Sequence, residues 1–210
     1  MKLVSLNVGL PREVTWHGAT TLTAIYKDAV AGRIALKTLN LDGDRQADLS
    51  VHGGKYKAVY CYPVEHYAYW GGDLPMGAFG ENFTTNGMLE DEVQVGDRFG
   101  VGTAEVVVTQ PRRPCYKLGI RFQDDHMVKR FFAARRTGFY VAVAREGEVG
   151  SGDVIRLVDR DPNGVPVSEI TRLYAEKSYA KEDAAVIGKA LQLEALPEGW
   201  KQSFRDRMDA

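Results

Sequence analysis

The chain has 210 residues, enough for one large domain or for a medium domain with a small appendage, and its formal net charge is −1. That balance excludes a global pull toward a nucleic acid polymer or an anionic membrane surface, so any anion site has to be local. No apolar run approaches bilayer-spanning length and two cysteines cannot form a disulfide framework, so the expectation is a soluble protein of the reducing cytoplasm, unattached to membrane.

From Lys2 to about Val158 the pattern is one of short β-rich stretches punctuated by glycine. Strands are expected at Lys2–Val8, Leu22–Val30, Arg33–Leu39, Ala58–Tyr62, Arg98–Val101, Thr103–Thr109, Phe139–Arg145 and Val154–Val158. Alternation is clearest in Thr103–Thr109, where Ala104, Val106 and Val108 share a core face. Cys61 reads as a packed strand residue. Helices are expected at Pro63–Trp70, where proline suits the first turn, and at Asp125–Arg135. Many short strands with few helices between them point to a closed or strongly curved sheet rather than to alternating βαβ units.

Asp159–Pro166 contains turn formers and nothing to bury, so it marks a linker between a β domain (1–158) and a helical tail (167–210). Beyond it the apolar period lengthens from two to about 3.6 residues. Val167, Ile170, Leu173 and Tyr174 share one helical face, Val186, Ile187, Ala190 and Leu191 a second, and Trp200, Phe204 and Met208 a third. Helices this short do not persist alone, so they must pack together or on the β domain. The fold class is mainly β with an α appendage.

Gln110-Pro-Arg-Arg-Pro-Cys-Tyr-Lys-Leu follows directly on the clearest strand. Pro111 and Pro114 lack backbone donors, so the segment should leave the sheet as a stiff loop that presents Cys115 at a strand end. Arg112, Arg113 and Lys117 lie within a few residues, and cations favour the thiolate that a nucleophile or a soft metal requires. The alternative is a cysteine packed under the loop with the arginines solvated. Two further stretches offer polar groups. Asn40-Leu-Asp-Gly-Asp-Arg-Gln-Ala-Asp runs into Val51-His52-Gly53-Gly54-Lys55, with Gly43, Asp44 and Gln46 in its first part; glycines permit close approach of backbone to a ligand, and His52 can donate to an anion or shuttle a proton. Phe79–Gly87 reads as a polar loop in which Asn82, Thr84 and Thr85 offer neutral hydrogen bonds. Phosphate-binding and dinucleotide-binding glycine motifs are absent, and the four histidines and two cysteines lack structural-zinc spacing.

In order along the chain, Leu41-Asp-Gly-Asp-Arg-Gln-Ala-Asp, Val51-His-Gly-Gly, Tyr62-Pro-Val-Glu-His-Tyr, Gly80-Glu-Asn-Phe-Thr-Thr, Val95-Gly-Asp and the Cys115 segment resemble the successive signatures of a MOSC domain of the YiiM-like branch. The tail, with Leu196-Pro-Glu-Gly-Trp, is similar to the three-helix domain that follows MOSC in that branch. The resemblance implies a β-barrel of the pyruvate-kinase-barrel type that binds molybdenum cofactor (molybdopterin), with Cys115 as metal ligand and catalytic centre. It implies that Lys27, Gly43, Asp44, Gln46, His52, Gly53, Asn82, Thr84, Arg112 and Lys117 surround the cofactor, with the cations suited to its phosphate. It further implies pyridoxal-phosphate-independent reduction of small N-hydroxylated compounds, such as hydroxylaminopurines, with His52 as proton donor. Electrons would come from a separate reductase, since the chain has too few cysteines for an iron–sulfur cluster. A cofactor carrier or sulfur-delivery module, or a metal-free thiol enzyme, are the competing readings, and a homodimer is compatible with the tail.

Overall fold

The computed structural model describes residues 1–48, 53–176 and 178–208. Its strands are β1 (Lys2–Val8), β2 (Arg12–Trp16), β3 (Ala19–Thr23), β4 (Asp28–Ala29), β5 (Arg33–Leu36), β6 (Val59–Pro63), β7 (Phe83–Asn86), β8 (Gln94–Val95), β9 (Arg98–Val101), β10 (Ala104–Pro111), β11 (Phe139–Arg145), β12 (Gly147–Gly150), β13 (Ile155–Asp159) and β14 (Val165–Pro166). The helices are α1 (Tyr116–Phe122), α2 (Met127–Ala133), α3 (Val167–Ala175), α4 (Asp183–Gln192) and α5 (Glu198–Met208), none long and apolar enough to cross a membrane.

Eight strands form the main sheet in the order β13-β9-β10-β11-β6-β7-β1-β4, antiparallel throughout except for the parallel pair β6/β7. Near its edges the sheet meets itself. Lys2 bridges to Val154, Leu3 N–H donates to Asp153 O at 2.9 Å, Gly152 N–H to Leu3 O at 2.7 Å and Ile155 N–H to Met1 O at 3.0 Å. These bonds join β1 to the start of β13 and close the sheet into a barrel, as the run of short strands leads one to expect.

On β10, Ala104, Val106 and Val108 are all buried in the barrel core, as the alternation requires. β6 is buried on both faces. Val59 and Cys61 point into the barrel core, while Tyr60 and Tyr62 join Tyr67, Phe79, Leu118 and Phe131 in a second, aromatic cluster. Burial pushes the Cys61 thiol pKa up, consistent with an inert packed residue.

The helical tail has no core of its own. Val167, Ile170, Leu173, Ile187, Trp200 and Phe204 belong to the same apolar cluster as Phe83, Phe99 and Phe139 of the barrel. The stretch before it also contributes: Val165, 1% exposed, pairs with Val95, so Asp159–Pro166 does contain a residue to bury. Met208 is the exception on its helical face, at 52% exposed.

Several expected boundaries shift for local reasons. Leu22–Val30 is not one strand, because Ala24–Lys27 leaves the sheet between β3 and β4 to line a cavity. Pro63–Trp70 becomes a 3₁₀ helix from Val64 to Trp70, since Pro63 is still paired with Thr85 in the parallel ladder. Phe79–Gly87 is not a polar loop throughout, because Phe83–Asn86 forms β7 between β6 and β1, with Thr84 and Thr85 fully buried.

Phe204 is fully buried in the shared core, so Phe204→Ala should cost about 3–5 kcal/mol. In urea titrations the helical far-ultraviolet signal and the aromatic near-ultraviolet signal should move together in one transition. Separate midpoints would show that the tail folds independently.

Candidate functional site

Cys115 is held between strand and helix. β10 runs on through Gln110 to Pro111, which is still opposite Phe139, and Arg112 N–H donates to Gly138 O at 3.2 Å, so the chain leaves the sheet later than its prolines suggest. Cys115 then adopts an extended conformation (φ −125°, ψ 172°) directly before α1, whose first turn closes with Leu118 N–H donating to Cys115 O at 2.9 Å. Helix α1 is hard to read from sequence because it carries Gly119, a poor helix former. Gly119 is fitted to a close approach, since a Cβ there would meet Asp124 O at 3.0 Å.

The half-buried thiol opens onto a cavity of about 600 Å³ that Lys27, Asp44, Gln46, Asn82, Arg112 and Lys117 also line. Residues from four separate stretches of sequence therefore converge on one cavity. Their roles divide, however, into groups that face the open cavity and groups that hold its wall.

Asp44 is the centre of the wall. Its Oδ1 accepts from Gly9 N–H at 2.9 Å and from the Lys27 ammonium, and its Oδ2 accepts from Asn82 Nδ2 at 3.0 Å. Asn82 also donates to Asn7 O at 3.2 Å and accepts from Tyr60 N–H at 3.1 Å, so its amide is committed to the fold. Gln46 is similar: it accepts from Asn40 Nδ2 at 3.1 Å and donates to Leu39 O at 3.2 Å. These are positioning residues. Behind them Glu81, fully buried, accepts from Gly77 N–H, Phe79 N–H, Thr84 and Tyr67. Burial pushes its pKa up more than these donors pull it down.

The cations on the thiol side are different. Arg112 is 7% exposed and donates from Nη1 to Phe79 O, with its guanidinium 4.4 Å from the Tyr60 ring centroid. Burial works against its charge, and the neighbouring Tyr60, Tyr140 and Cys115 more than offset this. Among the described residues, no carboxylate forms an ion pair with Arg112 or with the buried Lys117. Lys57 lies on the same wall, and partial burial together with Arg113 lowers its pKa.

Three sequence-implied residues fall outside this cavity. Thr84 is fully buried behind the wall, accepting from Asn7 Nδ2 at 3.0 Å and donating to Glu81 at 2.9 Å. Gly43 takes φ 84°, a left-handed turn conformation suited to glycine, and delivers Asp44 without lining the cavity. Gly53 lines a neighbouring cavity instead. His52 lies outside the described residues. Conversely, Lys57, Tyr60 and Tyr140 line the cavity but are missed by motif reading. The period of two offered a signal for Tyr60, since placing Cys61 in the core turns Tyr60 to the opposite face.

With this geometry in place, comparison with known proteins is decisive. The MOSC domain matches residues 48–156, and the YiiM-like 3-alpha helix domain matches residues 165–210. The chain belongs to the MOSC family, in its YiiM-like branch. It is 37% identical to YflK of Bacillus subtilis (strain 168) over 99% of this chain and 94% of YflK, and 38% identical to protein YiiM of Escherichia coli (strain K12) over 88% and 84%. A protein named reductase from Gibberella moniliformis is 34% identical over 68% of this chain, which spans 27% of that protein. The crystal structure of YiiM from Geobacillus stearothermophilus superposes with a TM-score of 0.79 at 32% identity, covering 99% of this chain and 98% of that one. The barrel and helical tail are thus those of the YiiM-like branch.

Removing one member of a buried ion pair leaves the other uncompensated, and the Lys27 and Asp44 side chains are 8% and 2% exposed. Asp44→Ala should therefore cost about 3–5 kcal/mol in urea denaturation. The Asp44→Ala/Lys27→Met double variant should recover part of that loss.

Proposed function

We propose that this chain binds molybdenum cofactor through Cys115 and reduces N-hydroxylated compounds, such as hydroxylaminopurines, to amines with electrons from a separate reductase. The carrying observation is that two buried cations, Arg112 and Lys117, which have no carboxylate partner among the described residues, share one cavity with a half-buried thiol. Buried unpaired charge is costly, and an anionic group in the cavity relieves it through charge-assisted hydrogen bonds.

The donor set fits this cofactor better than a bare metal ion. Among the described residues no group of three or more histidine, cysteine or acidic side chains could hold a metal. A metal at Cys115 must therefore bring most of its ligands with it, as a dithiolene-bound molybdenum does. When bound, the cofactor supplies a two-electron redox centre able to take oxygen from nitrogen.

The residues of the chain divide the remaining work. Cys115 anchors the metal; Arg112, Lys117 and Lys27 hold the phosphate; Asp44, Asn82 and Gln46 fix that wall in position. Ile25 and Tyr60 give the cavity apolar surface that limits water around the reacting groups. In the overall change the N–O bond of R–NHOH breaks, two electrons and two protons enter, and R–NH2 and water leave. His52, next in sequence to Gly53 of the adjoining cavity, is assigned the proton delivery.

The test is metal analysis of protein made in a host competent for molybdenum cofactor, followed by a hydroxylaminopurine reduction assay. Cys115→Ser should lower molybdenum content roughly tenfold or more and abolish turnover. Equal molybdenum in both proteins would sink the ligand assignment, and Cys115-dependent molybdenum without turnover would favour the carrier. Lys117→Met should lower cofactor content while leaving the cofactor-free protein as stable as before or more so, by up to about 1 kcal/mol, because a buried charge that no carboxylate pairs among the described residues is lost.

A further inference from the structure

The charge of the chain is unevenly placed. Between Arg112 and Arg136 stand eight arginines and lysines against two aspartates, whereas the whole chain carries a formal net charge of −1. Both aspartates are engaged. Asp124 Oδ2 accepts from Arg130 Nη1 at 2.8 Å, and His17 Nε2 stands 3.0 Å from each carboxylate oxygen of Asp125. Arg113, Lys129 and Arg135 are exposed, and among the described residues no carboxylate pairs with any of them. The segment that presents Cys115 is therefore a positive surface on a chain that is otherwise negative.

A groove of about 970 Å³ opens within that surface. Arg113, Pro114 and Tyr174 form one side, and Val128, Lys129 and Phe132 of α2 the other. Val128 and Phe132, one helical turn apart, are half-buried and leave apolar surface beside Lys129. Arg113 is held in place, its Nη1 donating to Tyr174 Oη at 2.8 Å. Pro114 lines the groove and the next residue, Cys115, lines the cofactor cavity, so one peptide unit separates the groove from the proposed metal ligand.

We infer that this groove and the positive surface around it dock an acidic electron-carrier protein, bearing a flavin or an iron–sulfur centre, which passes electrons inward across Pro114 and Cys115. The inference rests on the reduction reading and adds where its electrons enter. Two carriers, each oxidised by one electron, supply the pair that R–NHOH takes up with two protons to give R–NH2 and water. Electron-transfer encounters are small, under about 1,200 Å², and are gathered by opposite charge, so a shallow cationic groove with an apolar floor is enough. A nucleic acid would answer to the same charge, but the step from Pro114 to Cys115 gives a redox partner a reason to bind here.

The probe is flavodoxin, an FMN protein of strongly negative charge, used as its hydroquinone with cofactor-loaded protein and a hydroxylaminopurine. Reduced methyl viologen, a small cationic donor, is the reference. Turnover with flavodoxin should slow as salt is added. Lys129→Glu should lower that rate about threefold or more at low ionic strength, converge with the unaltered protein at high ionic strength, and leave the methyl viologen rate undiminished. Arg156→Glu, exposed on β13, should change none of these. In ¹⁵N-labelled, cofactor-loaded protein, oxidised flavodoxin should shift the amides of Val128–Phe132, and Lys129→Glu should weaken the response. A flavodoxin rate indifferent to Lys129→Glu, or shifts confined to other elements, would overturn the docking site. So would the same amides shifting with protein concentration alone, which would mark a second copy as the occupant, or with a short DNA duplex where flavodoxin has no effect. Any of these alongside turnover with methyl viologen would leave the reduction reading standing. The expected shifts without reduction by either donor would keep the docking site and refute that reading.

Discussion

The Asp44 carboxylate is the interaction on which the polar wall of the cavity depends. It gathers Gly9, Lys27 and Asn82, three positions far apart in sequence, into one buried network. Such a network is tenable only because each member is bonded, since a half-satisfied buried charge costs several kcal/mol. Close approach is required too: a Cβ on Gly9 would stand 2.2 Å from Tyr26 O, in the segment that carries Lys27. Glycine at this position lets the β1 end and the Ala24–Lys27 segment come together.

That network also sets the electrostatics of the site. Lys27 is paired with Asp44, whereas Arg112 and Lys117 have no carboxylate partner among the described residues. The positive potential therefore concentrates on the thiol side, in a chain whose overall charge is nearly balanced. A local anion site was the one kind that composition left open.

The helical tail enters the same construction. Trp200 is bonded to Gln110, the penultimate residue of β10, and Arg113 to Tyr174, so the tail braces the segment that presents Cys115 from two helices. Because Ile170, Leu173 and Phe204 share the barrel core, this bracing does not depend on a few surface contacts. An appendage in sequence is thus a structural wall in space.

What sequence alone determined follows from local physics. Period-two alternation set the inward face of β10, helical periodicity set the buried faces of the tail, and one motif held Cys115, Arg112 and Lys117, which line the same cavity. What it left open depended on partners distant in the chain. Asn82 and Gln46 look like ligand donors until their amides are seen to be consumed by Tyr60, Asn7, Asp44, Asn40 and Leu39. Thr84 looks like part of an exposed loop until β6 and β1 pair on either side of it. Lys57 and Tyr140 have no local signal at all, and only barrel closure brings them to the cavity. Hydrogen-bond satisfaction and burial are properties of the assembled chain, so tertiary structure decided which polar residues support the wall around Cys115 and which face the cavity.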